Sequence, residues 1–206
     1  MFQPQYVDLK DGYYLRGKWR TDFFNNDHPI TLELGCGKGE YTTGLAERYP
    51  EKNYIGIDIK GARMWKGCKY SNDRQMTNVA FIRTRINLIG FLFAPQEISE
   101  IWLTFPDPQP QLSREKKRLT SPEFLERYKT ILQPEHQIHL KTDDTGLFEY
   151  TLSVIKTFGH NLNYMTNDVY NADAPEEVKN ITTFYEAMFL EEGKKINYLN
   201  FRLKQD

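Results

Sequence analysis

The chain has 206 residues, enough to bury one substantial core but cramped for two full domains. Apolar residues make up 39% and aromatic rings 14%, so it is expected to fold and not to behave as a disordered tail. Its 27 basic and 28 acidic side chains leave a net charge of −1, which excludes polyanion binding through overall charge and directs attention to local clusters.

Met1 to Gly17 mixes polar side chains with scattered aromatics and lacks an apolar stretch of signal-peptide length, and a loosely attached N-terminal segment is expected over 1–28. Ile30 to Leu34 alternates apolar and polar residues and meets Gly35, a strand entering a tight turn. Tyr41, Leu45 and Tyr49 recur at helical spacing until Pro50. Tyr54 to Asp58 reads as a strand, Ala62 to Arg74 as a helix, and Val79 to Ile82 and Ile98 to Phe105 as further strands. The longest apolar run, Leu88 to Pro95, is too short to span a bilayer, and a soluble, cytoplasmic protein with no membrane partner is expected.

Ser121 and Pro122 form an N-cap and first-turn pair, followed by a helical stripe of Phe124, Leu125, Tyr128, Ile131 and Leu132. Ile138 to Lys141 reads as a strand and Leu147 to Phe158 as a helix stopped by Gly159. Leu199, Phe201 and Leu203 alternate with Asn200 and Arg202, a strand with one wet face. Alternating strands and helices argue for a single α/β domain over 1–206 with a parallel sheet. Cys36 and Cys68 have neither metal-site spacing nor the look of a disulfide framework, and no metal is expected.

The stretch Leu32-Glu33-Leu34-Gly35-Cys36-Gly37-Lys38-Gly39-Glu40 places glycines at alternate positions after a strand, where the backbone can turn sharply and approach a ligand. A plain strand-to-helix turn is the competing reading. Asp58 ends the next strand, where an acid can accept both hydroxyls of a ribose. Glu33 and Glu40 make a poor setting for a pyrophosphate but suit a cation. S-adenosylmethionine carries an ammonium and a sulfonium and no phosphate, so charge favours it over a nicotinamide cofactor. Asn87, after the Val79 strand, suits either an adenine edge or a helix N-cap.

Pro106-Asp107-Pro108-Gln109-Pro110 ends a strand with three prolines in five residues, which fixes the backbone around Asp107. Such an acid either closes a structural turn or serves a site. A carboxylate there can accept from the N1–H and amino groups of a guanine, leaving N7 on the opposite edge. Alkylating N7 needs alignment and charge stabilisation but no proton removal. Arg114, Lys116, Lys117 and Arg118 follow, four cations in five positions, suited to phosphate contacts or to a solvated loop.

On Glu33 to Gly39, Phe105-Pro106-Asp107-Pro108 with its basic run, Thr142-Asp143 and Thr183-Phe184-Tyr185-Glu186, the chain resembles the bacterial tRNA (guanine-N7)-methyltransferases. The resemblance runs from about Gly17 to the end. It implies a doubly wound, Rossmann-like methyltransferase fold, a mostly parallel seven-stranded sheet with an antiparallel last strand. It implies S-adenosylmethionine as donor and the variable-loop guanine of tRNA as substrate, with the protein acting as monomer or homodimer. It assigns Glu33, Gly35, Gly37, Asp58, Asn87 and Asp107 to the donor, Asp107 also to catalysis, and Gln111, Asp143, Thr183, Phe184, Tyr185 and Glu186 to the substrate. By their own residue types, Phe184 and Tyr185 read as core aromatics and Glu186 as a surface charge. Gln109 and Gln111 stand where the family usually has Trp and Lys, removing a stacking surface and a cation. A methyltransferase of other specificity and a non-catalytic module binding tRNA and donor are the rival readings.

Overall fold

The computed structural model describes residues 6–205; positions 1–5 of the N-terminal segment and position 206 lie outside the described residues. Strands β1 (Tyr6–Val7), β2 (Ile30–Leu34), β3 (Asn53–Asp58), β4 (Val79–Arg83), β5 (Ile98–Thr104), β6 (Leu132–Thr142), β7 (Asn161–Thr166) and β8 (Asn197–Arg202) form one sheet. Its order is β1-β4-β3-β2-β5-β6-β8-β7. The helices are α1 (Leu9–Tyr14), α2 (Glu40–Arg48), α3 (Gly61–Asp73), α4 (Ile89–Leu92), α5 (Pro122–Lys129), α6 (Thr145–Phe158), α7 (Glu176–Asn180) and α8 (Phe184–Glu191).

Pairings from β1 through β6 are parallel, while β8 runs antiparallel to both β6 and β7. This is the expected doubly wound arrangement with its antiparallel last strand, extended at the β4 edge by the two-residue β1. Strands β2, β3 and β4 add in one direction and β5 and β6 in the other, so the order reverses between β2 and β5. Open α/β sheets leave a crevice at the carboxyl ends of the strands flanking such a reversal.

Both faces of the sheet are covered. Leu32, Leu34, Ile55, Ile57, Ile101, Leu103, Ile138 and Leu140 pack on one side with Leu125, Leu147 and Ile155 from α5 and α6. Tyr41, Leu45, Met64, Phe81, Trp102 and Tyr198 fill the other. A fully buried Leu or Ile contributes about 1.5–3 kcal/mol, so these layers fix the strand ends that carry the site.

Local chemistry sets the helix ends. The Asp144 Oδ1 accepts from the Leu147 amide at 2.6 Å to start α6, and Gly159, at φ 67°, ends it. Pro122 occupies the first turn of α5, but the Ser121 side chain does not cap it and donates instead to the Lys116 carbonyl at 3.3 Å. The helical stripe does not reach Ile131 and Leu132. Helix α5 ends at Lys129, Ile98 N–H donates to the Ile131 carbonyl at 3.0 Å, and Leu132 already pairs with Ile98 as the start of β6. Sheet pairing there outweighs helical periodicity.

The wet face expected of the last strand is also corrected. Strand β8 sits inside the sheet, and Asn200 is buried between His139 and Asn163, whose amide donates to its Oδ1 at 2.8 Å. Within the N-terminal segment, Trp19 is fully buried and its Nε1 donates to the Leu92 carbonyl at 3.0 Å. The buried Glu97 carboxylate accepts from the amides of Gly17 and Trp19 at 2.9 and 3.3 Å, tying that part of the segment down. Among the described residues, no helix is long and apolar enough to cross a membrane.

Candidate active site

The turn after β2 takes its shape from glycine. Gly35 and Gly37 sit at φ 85° and 54°, a region costly for side-chain residues, and a Cβ added at either would meet no atom within 4 Å. The space beside both is open, and Gly35 lines the cleft. Gly39 serves packing instead, since a Cβ there would lie 2.5 Å from the Phe81 ring. The Gly37 amide donates to Asp58 Oδ2 at 2.9 Å and the Lys60 amide to Asp58 Oδ1 at 2.7 Å, so the turn and the end of β3 hold the carboxylate from both sides.

Glu33 lies beneath this turn and does not line the cleft. Its carboxylate is buried and accepts from the Thr42 amide at 2.8 Å, the Thr42 hydroxyl and the Thr104 hydroxyl. It thereby ties β2 to the start of α2 and to the end of β5. Burial raises its pKa to about 7, with the hydrogen bonds from Thr104 and Thr42 opposing the rise. The fold therefore favours the protonated acid: stability is fully present below about pH 4.5 and is lost as pH rises through about 7. A shift of this size is worth about 3 kcal/mol. Glu33→Gln is expected to make the ligand-free protein more stable than wild type at pH 8 by up to about 3 kcal/mol and equal to it below about pH 4. Urea unfolding across that range checks this, and parallel pH profiles for the two proteins would count against it.

The Pro-Asp-Pro segment leaves β5 through a bend with Phe105 at φ 49° and Gln109 at φ 46°. The Asp107 Oδ1 accepts from the Gln109 amide at 3.0 Å, so the structural-turn reading holds, yet the exposed carboxylate also lines the cleft. Arg118 anchors this bend: its Nε donates to the carbonyls of Pro108 and Gln109 at 3.2 and 3.3 Å, and its guanidinium lies 4.2 Å above the Tyr150 ring. That occupies the group expected at phosphate. Of the basic run, Lys117 lines the cleft, Arg114 is exposed, and Lys116 is exposed beside Glu123 at 3.5 Å. Gln111 does not line the cleft and begins the short 3-10 turn Leu112–Lys117.

Asn87 is exposed in the 3-10 turn Ile86–Leu88 and lines the cleft; Leu88, not Asn87, occupies the N-cap of α4. Asp143 lines it too and accepts from Lys194 at 3.0 Å. Thr183 and Glu186 form the capping box of α8. Glu186 is fully buried, paired with the fully buried Lys141 at 2.7 Å, and also accepts from the Tyr170 hydroxyl at 2.9 Å. Burial lowers the Lys141 pKa, and Glu186 opposes the shift. Lys141 also donates to the Val178 and Ile181 carbonyls at 2.5 and 3.2 Å. Phe184 and Tyr185 are not core aromatics. Both are substantially exposed, Lys38 sits 3.2 Å over the Phe184 ring, and Tyr185 lines the cleft.

One cleft of about 970 Å³ thus gathers Gly35, Asp58, Asn87, Asp107, Asp143 and Tyr185 from the carboxyl ends of β2 to β6 and from α8. Glu33, Gly37, Gln111, Thr183, Phe184 and Glu186 stand outside its lining. The sequence reading missed Lys60, Arg63 and Arg85, which line one rim, and Lys141 beneath α8. The first three lie in a stretch almost free of acids, a signal that was available; nothing in local hydropathy marks Lys141.

A crevice at the reversal point, a glycine turn at its floor and acids at successive strand ends define a methyltransferase of the Rossmann-like class. The fold is shared with solved methyltransferases. A structure titled as an antibiotic-related methyltransferase superposes with TM-score 0.68 at 18% identity, covering 98% of this chain and 97% of that one. The 16S rRNA methyltransferase KamB superposes with TM-score 0.65 at 15% identity, covering 86% and 88%. Residues 27–199 match the family described as "Putative methyltransferase". The tRNA (guanine-N(7)-)-methyltransferase of Christiangramia forsetii is 52% identical, over 99% of this chain and 92% of that protein. That of Porphyromonas gingivalis is 51% identical, over 98% and 84%. The chain belongs to the tRNA (guanine-N(7)-)-methyltransferase family.

Proposed function

We propose that this chain, as a single-domain cytoplasmic enzyme working as monomer or homodimer, moves the methyl group of S-adenosylmethionine to N7 of the variable-loop guanine of tRNA. The observation carrying this reading is the convergence of Asp58, Asn87, Asp107 and Asp143 on one cleft floored by Gly35. The residues fit the donor. The open space beside Gly35 and Gly37 takes a ligand against bare backbone, and the carboxylates suit a cation better than a phosphate. When bound, the donor supplies a methyl on sulfonium: the N7 lone pair forms the new carbon–nitrogen bond while the carbon–sulfur pair returns to sulfur.

Asp58, already oriented by two amides, accepts the ribose hydroxyls, and Asn87 meets the adenine edge. Glu33 acts from below by holding Thr42 and Thr104, and so the glycine turn and the end of β5, in place. Asp107 lies beside donor and guanine, aligns N7 with the methyl and stabilises the positive charge the purine gains. No base is required, because N7 carries no proton. Asp143 and Tyr185 bound the guanine side, while Thr183 and Glu186 set the position of α8. Phe184 lies under Lys38 at the edge of this side. Arg114, Lys116 and Lys117 meet phosphates, Lys117 supplying at the cleft the cation that Gln111 does not.

Incubating the protein with labelled donor and unmodified tRNA, followed by mass spectrometry of the nucleosides, is expected to yield 7-methylguanosine at one site. Binding of donor and tRNA without any methylated guanine would replace this reading with the non-catalytic module. Asp58→Ala is expected to weaken donor binding by about 1.5–3 kcal/mol, the loss of charge-assisted hydrogen bonds. Calorimetry showing unchanged donor affinity would remove Asp58 from the donor site.

A further inference from the structure

Residues 59–96 carry seven basic side chains and one acid, Asp73, within a chain whose net charge is −1. Two of the seven are neutralised locally. Lys69 pairs with Asp73, and Arg74 with Glu47 at 3.3 Å. The other five, Lys60, Arg63, Lys66, Arg83 and Arg85, are exposed and make no ion pair among the described residues.

Topology brings these five together. Asp58 pairs in register with Arg83, so the ends of β3 and β4 lie side by side and lead into Lys60 and Arg85. The Arg83 side chain lies along the start of α3, its Nε donating to the Ile59 carbonyl at 3.3 Å. Helix α3 buries Met64, Gly67, Cys68 and Ser71 and turns Trp65 and Lys66 to solvent, with Trp65 53% exposed. Lys60, Arg63 and Arg85 line the cleft on the β3 and β4 side of the strand reversal and form one rim; the same lining holds Asp58, Asp107 and Asp143.

We infer that this rim and the outer face of α3 form a second phosphate-binding surface, across the cleft from Arg114 to Lys117, which grips the backbone of the substrate tRNA. The inference rests on the proposed reaction. Unpaired exposed cations repel one another, and a polyanion relieves that repulsion while releasing its own counterions. Acids on the floor and cations on both rims sort the two ligands: the cationic donor goes to the floor and the phosphates to the edges. Two cationic rims also hold an RNA segment across the cleft, so that a single base enters it.

The test uses Lys66→Gln/Arg83→Gln, two positions outside the cleft lining. A control, Lys156→Gln/Lys204→Gln, removes the same charge from exposed positions near the Gly159 end of α6. Affinity for unmodified tRNA is measured by fluorescence anisotropy over a range of salt, beside donor calorimetry and product analysis. The rim variant is expected to bind tRNA roughly tenfold more weakly at physiological salt, with a slope of log affinity against log salt smaller by roughly 2. Donor affinity and the identity of the methylated base are expected to be unchanged, and the control to match wild type. If wild type methylates tRNA while the rim variant keeps its affinity and slope, or if the control loses as much as the rim variant, the second surface is overturned. If wild type makes no 7-methylguanosine, the proposed reaction itself fails, a result separable from the other two.

Discussion

Asp107→Asn is expected to cut turnover by on the order of a hundredfold or more while leaving fold and tRNA affinity nearly unchanged. The substitution is selective because of what holds the residue. Asp107 Oδ1 accepts from the Gln109 amide at 3.0 Å, and an Asn carbonyl oxygen accepts the same bond. The bend is further fixed by Pro106 and Pro108 and by Arg118 on the Pro108 and Gln109 carbonyls, none of which depends on the Asp107 charge. On the proposed role of Asp107, what is lost is the negative charge that offsets the positive charge a purine gains as N7 is alkylated. Tetrahedral or acid–base chemistry is absent from this transfer, so alignment and charge are the two levers available, and Asn keeps only the first. Turnover at saturating tRNA and donor, thermal melting and tRNA anisotropy together check the expectation. A variant methylating at the wild-type rate would remove Asp107 from catalysis, and one that melts far lower would make the residue structural.

How far the sequence disclosed this site depended on whether the deciding forces were local. Gly35 and Gly37 free their own backbones for positive φ and Pro106 and Pro108 restrict theirs, so the two turns flanking the cleft were legible without knowing the fold. Strand β2 was legible because Ile30 to Leu34 alternates apolar and polar residues and runs into Gly35, although the sheet buries all five, Thr31 and Glu33 included. Strand β7, Asn161–Thr166, lies at a sheet edge with no buried position, and its alternation of Asn with Leu162 and Tyr164 stops at Met165, too short a signal to read as a strand. The end of α5 was misread because Ile131 and Leu132 satisfy both a helical stripe and a strand, and only pairing with Ile98 decides. At α8 hydropathy gave the inverse of the structure: the aromatics Phe184 and Tyr185 are exposed and the acid Glu186 is buried. The reason lies 45 residues upstream, where Lys141 enters the same interior. A buried charge is legible only when its partner is, and that pairing is tertiary.

Lys141→Met is accordingly expected to destabilise the protein by about 3–5 kcal/mol, the cost of breaking a buried pair from one side. Glu186 would remain fully buried with the Tyr170 hydroxyl at 2.9 Å and the Thr183 amide at 3.4 Å as its remaining donors, too little to solvate a carboxylate. The Val178 and Ile181 carbonyls would lose their donor as well. Adding Glu186→Gln removes the stranded charge and keeps the capping box, in which Gln serves at the same position as Glu. The double variant is therefore expected to be more stable than Lys141→Met alone, although it carries one more substitution. Urea unfolding of the two single variants and the double completes the cycle. The pair also holds the segment from Val178 to Glu186, which sets the helix presenting Tyr185 to the cleft, so the weakened proteins should show a raised KM for tRNA before any change in donor affinity. If the double variant is as unstable as the two singles added together, Lys141 and Glu186 do not act as a pair, and α8 is held by its capping box and apolar contacts alone.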